Sequence, residues 1–188
     1  MEIVYGIGLI VTNATPLGGY VEQYTNVSNG KFLGINYLIW IAIIVAAITW
    51  FIFNMTRHGK YMYAIGGNPQ AAEVAGVPVK ATLILIYMKA AAMYGLAGFM
   101  LGAKAGGASV QTGYGYEMEA IAACTIGGVS VTGGRGKVSS AIIGVAVFEL
   151  LKVALQYLGM NANAQYIAIG VVIFIAISLD IRKYIARK

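Results

Sequence analysis

Few side chains in this sequence have the chemistry of an enzyme or a metal site. The chain has 188 residues with one cysteine, Cys124, and one histidine, His58. A single cysteine excludes an internal disulfide and a multi-cysteine metal site. Glu117 and Glu119 are neighbouring carboxylates, but side chains two positions apart do not share a helical face. With no nucleophile or base beside them, these residues predict no hydrolytic centre.

Charged residues inside apolar stretches are stronger candidates for function. Glu149 and Lys152 are three residues apart in the stretch 138–158, so on a helix they would share a face and form an ion pair. Ionisable groups at such positions usually face a protein interior or a water-filled path. The pair is either structural, with Lys152 extending outward to water, or part of a pathway that hydrogen-bonds a solute or gates it. Lys89, in another apolar stretch, has the same two interpretations.

A glycine-rich segment, 127–136, precedes Lys137 and suggests a phosphate-binding loop. Such a loop requires G-x-x-x-x-G-K followed by Ser or Thr. Here Val131 stands where the first glycine should be, and Val138 follows Lys137. We therefore interpret the segment as a tight turn between two helices.

The composition is that of a membrane protein. Hydrophobic residues make up 59% of the chain and charged residues 11%, against about 45–50% and about 25% in soluble domains. The net charge of +6 does not indicate nucleic-acid binding, because the basic residues flank apolar stretches instead of forming a patch. Lipid is the expected surrounding, and no nucleic-acid partner is expected.

Four stretches approach the length of about 20 apolar residues that a membrane-crossing helix needs. They are 36–53, 81–103, 138–158 and 164–179. Two shorter stretches are a partial N-terminal span, 1–11, and a half-span, 118–131, which is tolerated only if buried in protein or lining a cavity. The prediction is an all-α fold, a polytopic transmembrane helical bundle in which residues 1–188 form a single domain.

The basic residues predict the orientation of the chain. If 36–53 runs inward, nine of the 13 lysines and arginines lie on one side, two on the other and two within spans. The positive-inside rule then makes segment 54–80 and the C-terminus cytoplasmic.

Segment 54–80 is predicted to be a loop that contains one short helix. Asn68 suits the N-cap and Pro69 the first helical position. Gly76 suits the left-handed position after the helix, and Pro78 prevents its continuation. The helix would carry the small residues Ala71, Ala72 and Ala75. A helix this short buries little of itself, so it either docks into a partner or serves only as a connecting turn.

Three motifs then suggest a family. Residues 57–77 read RHGKYMYAIGGNPQAAEVAGV, residues 115–124 read GYEMEAIAAC, and residues 127–136 read GGVSVTGGRG. In order and spacing, and together with LDIRKY at 179–184, they resemble the sugar ABC transporter permeases of the ribose, xylose and galactose type. The galactose/methyl-galactoside branch is the most similar.

The resemblance implies a permease subunit of an ATP-driven monosaccharide importer in the bacterial plasma (inner) membrane. Its expected partners are a cytoplasmic ABC ATPase, a periplasmic or lipoprotein sugar-binding protein and a second permease chain, with a homodimer when full length. The permease would be no enzyme and bind no cofactor, because the ATPase binds ATP. The helix in 54–80 would be the coupling helix that contacts the ATPase. Its residues would be Gly66, Gly67, Asn68, Ala71, Ala72 and Gly76.

The resemblance covers only the C-terminal half of a family-length permease, so we expect a fragment, a split gene or a truncation. Three alternatives stay open. The first is a branched-chain amino-acid ABC permease, and the second is a non-transporting membrane scaffold. The third is an ion-driven transporter, in which Lys89, Glu149 and Lys152 would titrate during transport.

Overall fold

The computed structural model of the chain describes residues 2–185. The predicted cytoplasmic residues Arg187 and Lys188 lie outside them. In chain order, the helices are α1 (Glu2–Thr12), α2 (Glu22–Asn29), α3 (Tyr37–Met55), α4 (Arg57–Gly67), α5 (Pro69–Val74), α6 (Val79–Ala105), α7 (Tyr116–Ile126), α8 (Val138–Tyr157) and α9 (Ala162–Ile185). Two antiparallel strand pairs join β1 (Leu17–Gly18) to β4 (Gly107–Ala108) and β2 (Lys31–Phe32) to β3 (Ile35–Asn36).

The all-α prediction is confirmed, and so are the four spans. Within the described residues, four helical segments are long and apolar enough to cross a membrane: Tyr37–Met55, Val79–Ala105, Val138–Tyr157 and Ala164–Arg182. Each overlaps one predicted stretch. The half-span is also observed, because α7 has 11 residues and at 1.5 Å per residue extends only about 17 Å.

Helix α4 differs from the prediction for segment 54–80, which is a loop that contains one short helix. Its three glycines lower helix propensity, yet the chain is helical over all 11 of its residues. The Thr56 hydroxyl oxygen caps the helix by accepting from the Gly59 amide at 3.1 Å. Gly59 is required at this bend, because a Cβ there would collide with the carbonyl groups of Ile52 and Phe53. Helix α2 and the strand pairs were likewise not predicted.

The chain divides into two compact units. The first contains the chain up to Val45 together with Ile84–Tyr114. Within it, the Tyr24 hydroxyl donates to the Phe99 carbonyl at 2.7 Å, and the two rings meet edge to face with centroids 4.9 Å apart. These contacts tie the polar segment that contains α2 to helix α6.

The second unit contains Ala46–Leu83 and the chain from Gly115 onward. Its core lies where α7 packs between α8 and α9, and its buried residues are Ala122, Ala123, Phe148 and Ile169. Small residues allow the close approach of α7 and α8. Gly144 of α8 lies so near α7 that a Cβ there would be 2.6 Å from the Gly127 nitrogen. The half-span is thus the central element of this core.

The contact at Gly144 can be tested with a matched pair of glycine substitutions. We expect Gly144→Ala to destabilise the protein by about 1–3 kcal/mol, because the added methyl overpacks the α7–α8 contact. Gly170→Ala is the control, since a Cβ at Gly170 meets nothing within 4 Å and the same gain in helix propensity applies to both variants. The measurement is the thermal unfolding midpoint of the purified protein in detergent. Equal midpoints for the two variants would contradict the close packing.

Candidate functional site

The short helix α5 has the ends predicted from the sequence. The Asn68 side-chain oxygen accepts from the Gln70 amide at 3.0 Å and from the Ala71 amide at 3.1 Å. At the other end, Gly76 has a φ of +80°, and the Val77 amide donates to the Ala72 carbonyl at 3.0 Å. This bond, with that from the Gly76 amide to the Glu73 carbonyl, forms a Schellman cap. The helix is therefore fixed at both ends by its own sequence.

The two faces of α5 differ in exposure. Ala72 is only 4% exposed and lies inward, whereas Ala71 is exposed. Val74, which sequence reasoning did not single out, is 91% exposed. Val74 is three positions from Ala71, so the two side chains lie on the same face of the helix. This face, with an exposed apolar side chain outside the membrane spans, is the outer surface of α5. Its signal in the sequence was the single branched apolar residue among alanines.

The end of α4 rests on the glycine-rich turn between α7 and α8. A Cβ at Gly66 would lie 2.5 Å from the Gly134 nitrogen, and a Cβ at Gly134 would lie 2.8 Å from the Gly67 nitrogen. The backbones therefore touch with no side chains between them. Beside this contact, the Tyr63 hydroxyl donates to the Gly136 carbonyl at 2.8 Å. Gly66 is thus in close backbone contact with the turn, two residues before the N-cap of α5.

The turn itself begins as a cap on α7. Gly128 has a φ of +86°, and the Val129 amide donates to the Cys124 carbonyl at 2.9 Å, which closes a Schellman motif. Further along, the Ser130 amide donates to the Arg135 carbonyl at 3.0 Å. The prediction of a tight turn at 127–136 is confirmed.

Asp180, near the end of α9, forms hydrogen bonds to this turn. One of its carboxylate oxygens accepts from the Ser130 hydroxyl and from the Val131 amide, each at 3.0 Å. Sequence reasoning used Asp180 only as part of a family motif and missed this role, because the partners are 50 and 49 residues away.

A charge cluster lies on α7 and α8. The predicted ion pair is present, with the Lys152 amine 3.1 Å from a Glu149 carboxylate oxygen. The same amine is 2.9 Å from a carboxylate oxygen of Glu119 on α7, a partner that the sequence did not reveal because 33 residues separate the two. The side chains of Lys152 and Glu119 are 23% and 22% exposed, and that of Glu149 is 57% exposed. We call Glu119, Glu149 and Lys152 the charge cluster.

The depth of the cluster follows from helix geometry. Glu149 is 11 residues beyond the first residue of α8, Val138, or about 17 Å along the helix. For a helix that begins at the membrane surface and crosses it directly, that is near the middle of a hydrocarbon layer about 30 Å thick. Lys89 lies on α6, in the other unit, where it is half-buried and makes no ion pair with a described residue. Among residues 2–185, no three histidine, cysteine or carboxylate side chains cluster as a metal site.

Comparison with known proteins identifies the family. Residues 3–177 match the family described as branched-chain amino acid transport system / permease component. The galactose/methyl galactoside import permease protein of Haemophilus influenzae is 38% identical over 195 residues, covering 100% of this chain and 58% of that relative. The ribose import permease protein of Escherichia coli K12 is 33% identical over 187 residues, covering 97% of this chain and 58% of that relative. No solved structure matches the chain significantly.

The chain thus spans 58% of the length of these permeases. The relatives come from bacteria, and the described residues contain four apolar spans. Together these findings show a multi-pass protein of the bacterial inner membrane. The chain belongs to the family of branched-chain amino acid transport system permease components.

Proposed function

We propose that this chain forms part of the membrane-spanning permease of an ATP-driven importer of monosaccharides, such as galactose, methyl galactoside or a glucose-like sugar. The observation that carries the proposal is the 38% identity, across 100% of the chain, to a permease named for galactose and methyl galactoside import. In this proposal the chain catalyses no reaction. A cytoplasmic ABC ATPase binds and hydrolyses ATP, a periplasmic or lipoprotein binding protein delivers the sugar, and a second permease chain completes the pathway.

A second candidate is import of branched-chain amino acids, which the description of the matching family favours. The two are distinguished by uptake into proteoliposomes that contain the permease, the ATPase and the binding protein. We expect ATP-dependent uptake of labelled galactose or ribose and none of labelled leucine. Leucine uptake would support the second candidate. Uptake driven by an ion gradient without the ATPase, or no uptake of any solute, would overturn both.

The orientation belongs to the same proposal. Segment 54–80 and the C-terminus lie on the cytoplasmic side, as the distribution of lysines and arginines favours. In the described residues α4 carries exposed Arg57 and Lys60, Arg135 is exposed in the turn, and Lys137 is exposed just after it. These residues would lie at the inner surface of the membrane, where the ATPase binds.

In this proposal α5 is the coupling helix. Its outer surface, Ala71 and Val74, would contact the ATPase, and Ala72 would hold the helix against the permease. The caps formed by Asn68 and Gly76 keep the helix rigid enough to transmit displacement. Gly66 and Gly67 would set its position from the preceding helix.

Val74→Asp tests the coupling surface. We expect this variant to reduce co-purification of the ATPase at least about tenfold, because a buried unpaired carboxylate costs about 1–3 kcal/mol or more at an interface. Folding should be unaffected, since Val74 is 91% exposed.

The matched control for this experiment is Val21→Asp, the same change at a valine that is 68% exposed before α2. Val21 lies in the segment predicted to face the opposite side of the membrane, so its substitution should leave the ATPase bound. Equal ATPase binding by the two variants would refute the assignment of α5.

The charge cluster is the proposed lining of the sugar pathway in the second unit. A carboxylate at mid-membrane depth is stable only beside protein or water, and Glu149 keeps 57% of its side chain exposed within the described chain. Carboxylates and amines hydrogen-bond sugar hydroxyl groups as acceptors and donors. Lys89 is proposed to line the pathway in the first unit or to extend its amine to the inner membrane surface.

Glu149→Gln tests the pathway role. We expect normal assembly and a reduction of about tenfold in the kcat/KM of sugar uptake, since a hydrogen bond to a charged group contributes about 1.5–3 kcal/mol. Glu119→Gln is the comparison, because its less exposed carboxylate pairs with Lys152 at 2.9 Å. That variant should mainly lower the thermal unfolding midpoint. Unchanged uptake in Glu149→Gln would show that the pair is structural.

A further inference from the structure

We infer that Asp180 is a positioning residue that ties the last membrane span to the coupling helix through the glycine-rich turn, residues 128–136. This inference rests on the proposed function for its transport consequence, but its structural part can be tested without transport. It assigns a role to two motifs, the GGVSVTGGRG segment and the final aspartate, that the proposed function leaves unused.

The turn contains four glycines in the left-handed region of the backbone map. Gly128, Gly133, Gly134 and Gly136 all have positive φ angles, from +71° to +145°. Glycine loses more conformational entropy on ordering than any other residue, so bonds from outside the turn add to those within it in fixing this conformation. Those bonds come from two directions, α9 and α4.

From α9, Asp180 supplies one carboxylate oxygen that accepts two hydrogen bonds, from the Ser130 hydroxyl and the Val131 amide, both at 3.0 Å. Hydrogen bonds to an ionised acceptor are roughly twice as strong as neutral ones. The Ser130 hydroxyl oxygen is also 2.9 Å from that of Thr132. This short network fixes the first half of the turn to the end of α9.

From the other side, the second half of the turn is the surface on which α4 ends. Gly133 and Gly134 touch the backbone of Gly66 and Gly67, and Gly136 accepts the hydroxyl of Tyr63 at 2.8 Å. A shift of the turn by a fraction of an ångström would therefore displace α4, because no flexible side chain lies in this contact.

No linker separates α4 from α5. Asn68 is at once the residue that ends α4, its amide donating to the Ala64 carbonyl, and the N-cap of α5. Displacement of α4 is therefore passed directly to α5. The connection from Asp180 to the coupling helix is a continuous set of contacts inside one compact unit, which is a physical route for energetic coupling.

The experiment measures hydrogen–deuterium exchange of the assembled permease in nanodiscs, with Asp180→Leu and Asp180→Asn compared with the unmodified protein. We expect Asp180→Leu to increase exchange at Val131 and in residues 133–136 by about tenfold, which corresponds to about 1.4 kcal/mol. A smaller increase should extend to 66–72. If exchange rises in the turn and stays unchanged at 66–72, or rises nowhere, the inference is overturned.

Asp180→Asn separates geometry from charge. Both donors use the same carboxylate oxygen, so the single amide oxygen of asparagine can accept both hydrogen bonds. We expect exchange in this variant to be much closer to that of the unmodified protein than exchange in Asp180→Leu is. If exchange increases equally in the two variants, the negative charge of Asp180 matters and the hydrogen bonds do not. That result would refute the positioning role. Ser130→Ala, which removes one of the two donors, should be intermediate.

The transport consequence is measured on the same preparations. We expect Asp180→Leu to keep basal ATPase activity and bound ATPase while sugar transported per ATP hydrolysed falls at least about fivefold. An unchanged ratio of sugar transported to ATP hydrolysed, in a variant whose turn shows increased exchange, would refute this consequence. If Asp180→Leu shows the expected increase in exchange but the unmodified protein shows no ATP-dependent uptake, the proposed function fails while the structural role of Asp180 stands.

Discussion

The shortness of α7 is the constraint on which the second unit depends. Eleven residues cannot cross a bilayer, so the chain must end a helix and reverse at membrane depth or near one surface. Backbone groups freed there cannot be left to lipid. The Schellman cap at Gly128, the backbone hydrogen bonds within the turn and the bond from the Val131 amide to Asp180 satisfy several of these groups. The surrounding helices α8 and α9 cover the alanine-rich sides of α7.

Glycine meets this constraint in two different ways. In the turn it provides the left-handed backbone that reversal requires, as at Gly128. Between elements it removes the Cβ, so that Gly144 lies against α7 and Gly66 against Gly134. The second use accounts for Gly66 near the end of a helix, where propensity alone disfavours glycine.

Much of this could be predicted from local sequence. The four spans follow from apolar length, and the ends of α5 follow from Asn68, Pro69 and Gly76, since each acts through bonds to residues close in the chain. Helix α4 could not be predicted, because contacts with the turn compensate for its glycines. Glu119 and Asp180 were also missed as partners, for the same reason: their bonds cross 33 and 50 residues. Burial of Ala72 depends on how α5 lies against the unit, which its own six residues do not determine.

An ion pair near the start of α7 and hydrogen bonds beyond its end connect it to its two neighbours. Near its start, Glu119 pairs with Lys152 of α8, and acidic residues in a first helical turn are also favoured by the helix dipole. Beyond its end, the turn that caps α7 is bonded to Asp180 of α9. The residues between these points, Ala122 and Ala123, are small and buried, so α7 packs closely against both neighbours. A continuous set of contacts therefore joins the turn to the charge cluster through α7. Under the proposed function, these contacts are what would let an event at the coupling helix change a pathway near the middle of the membrane.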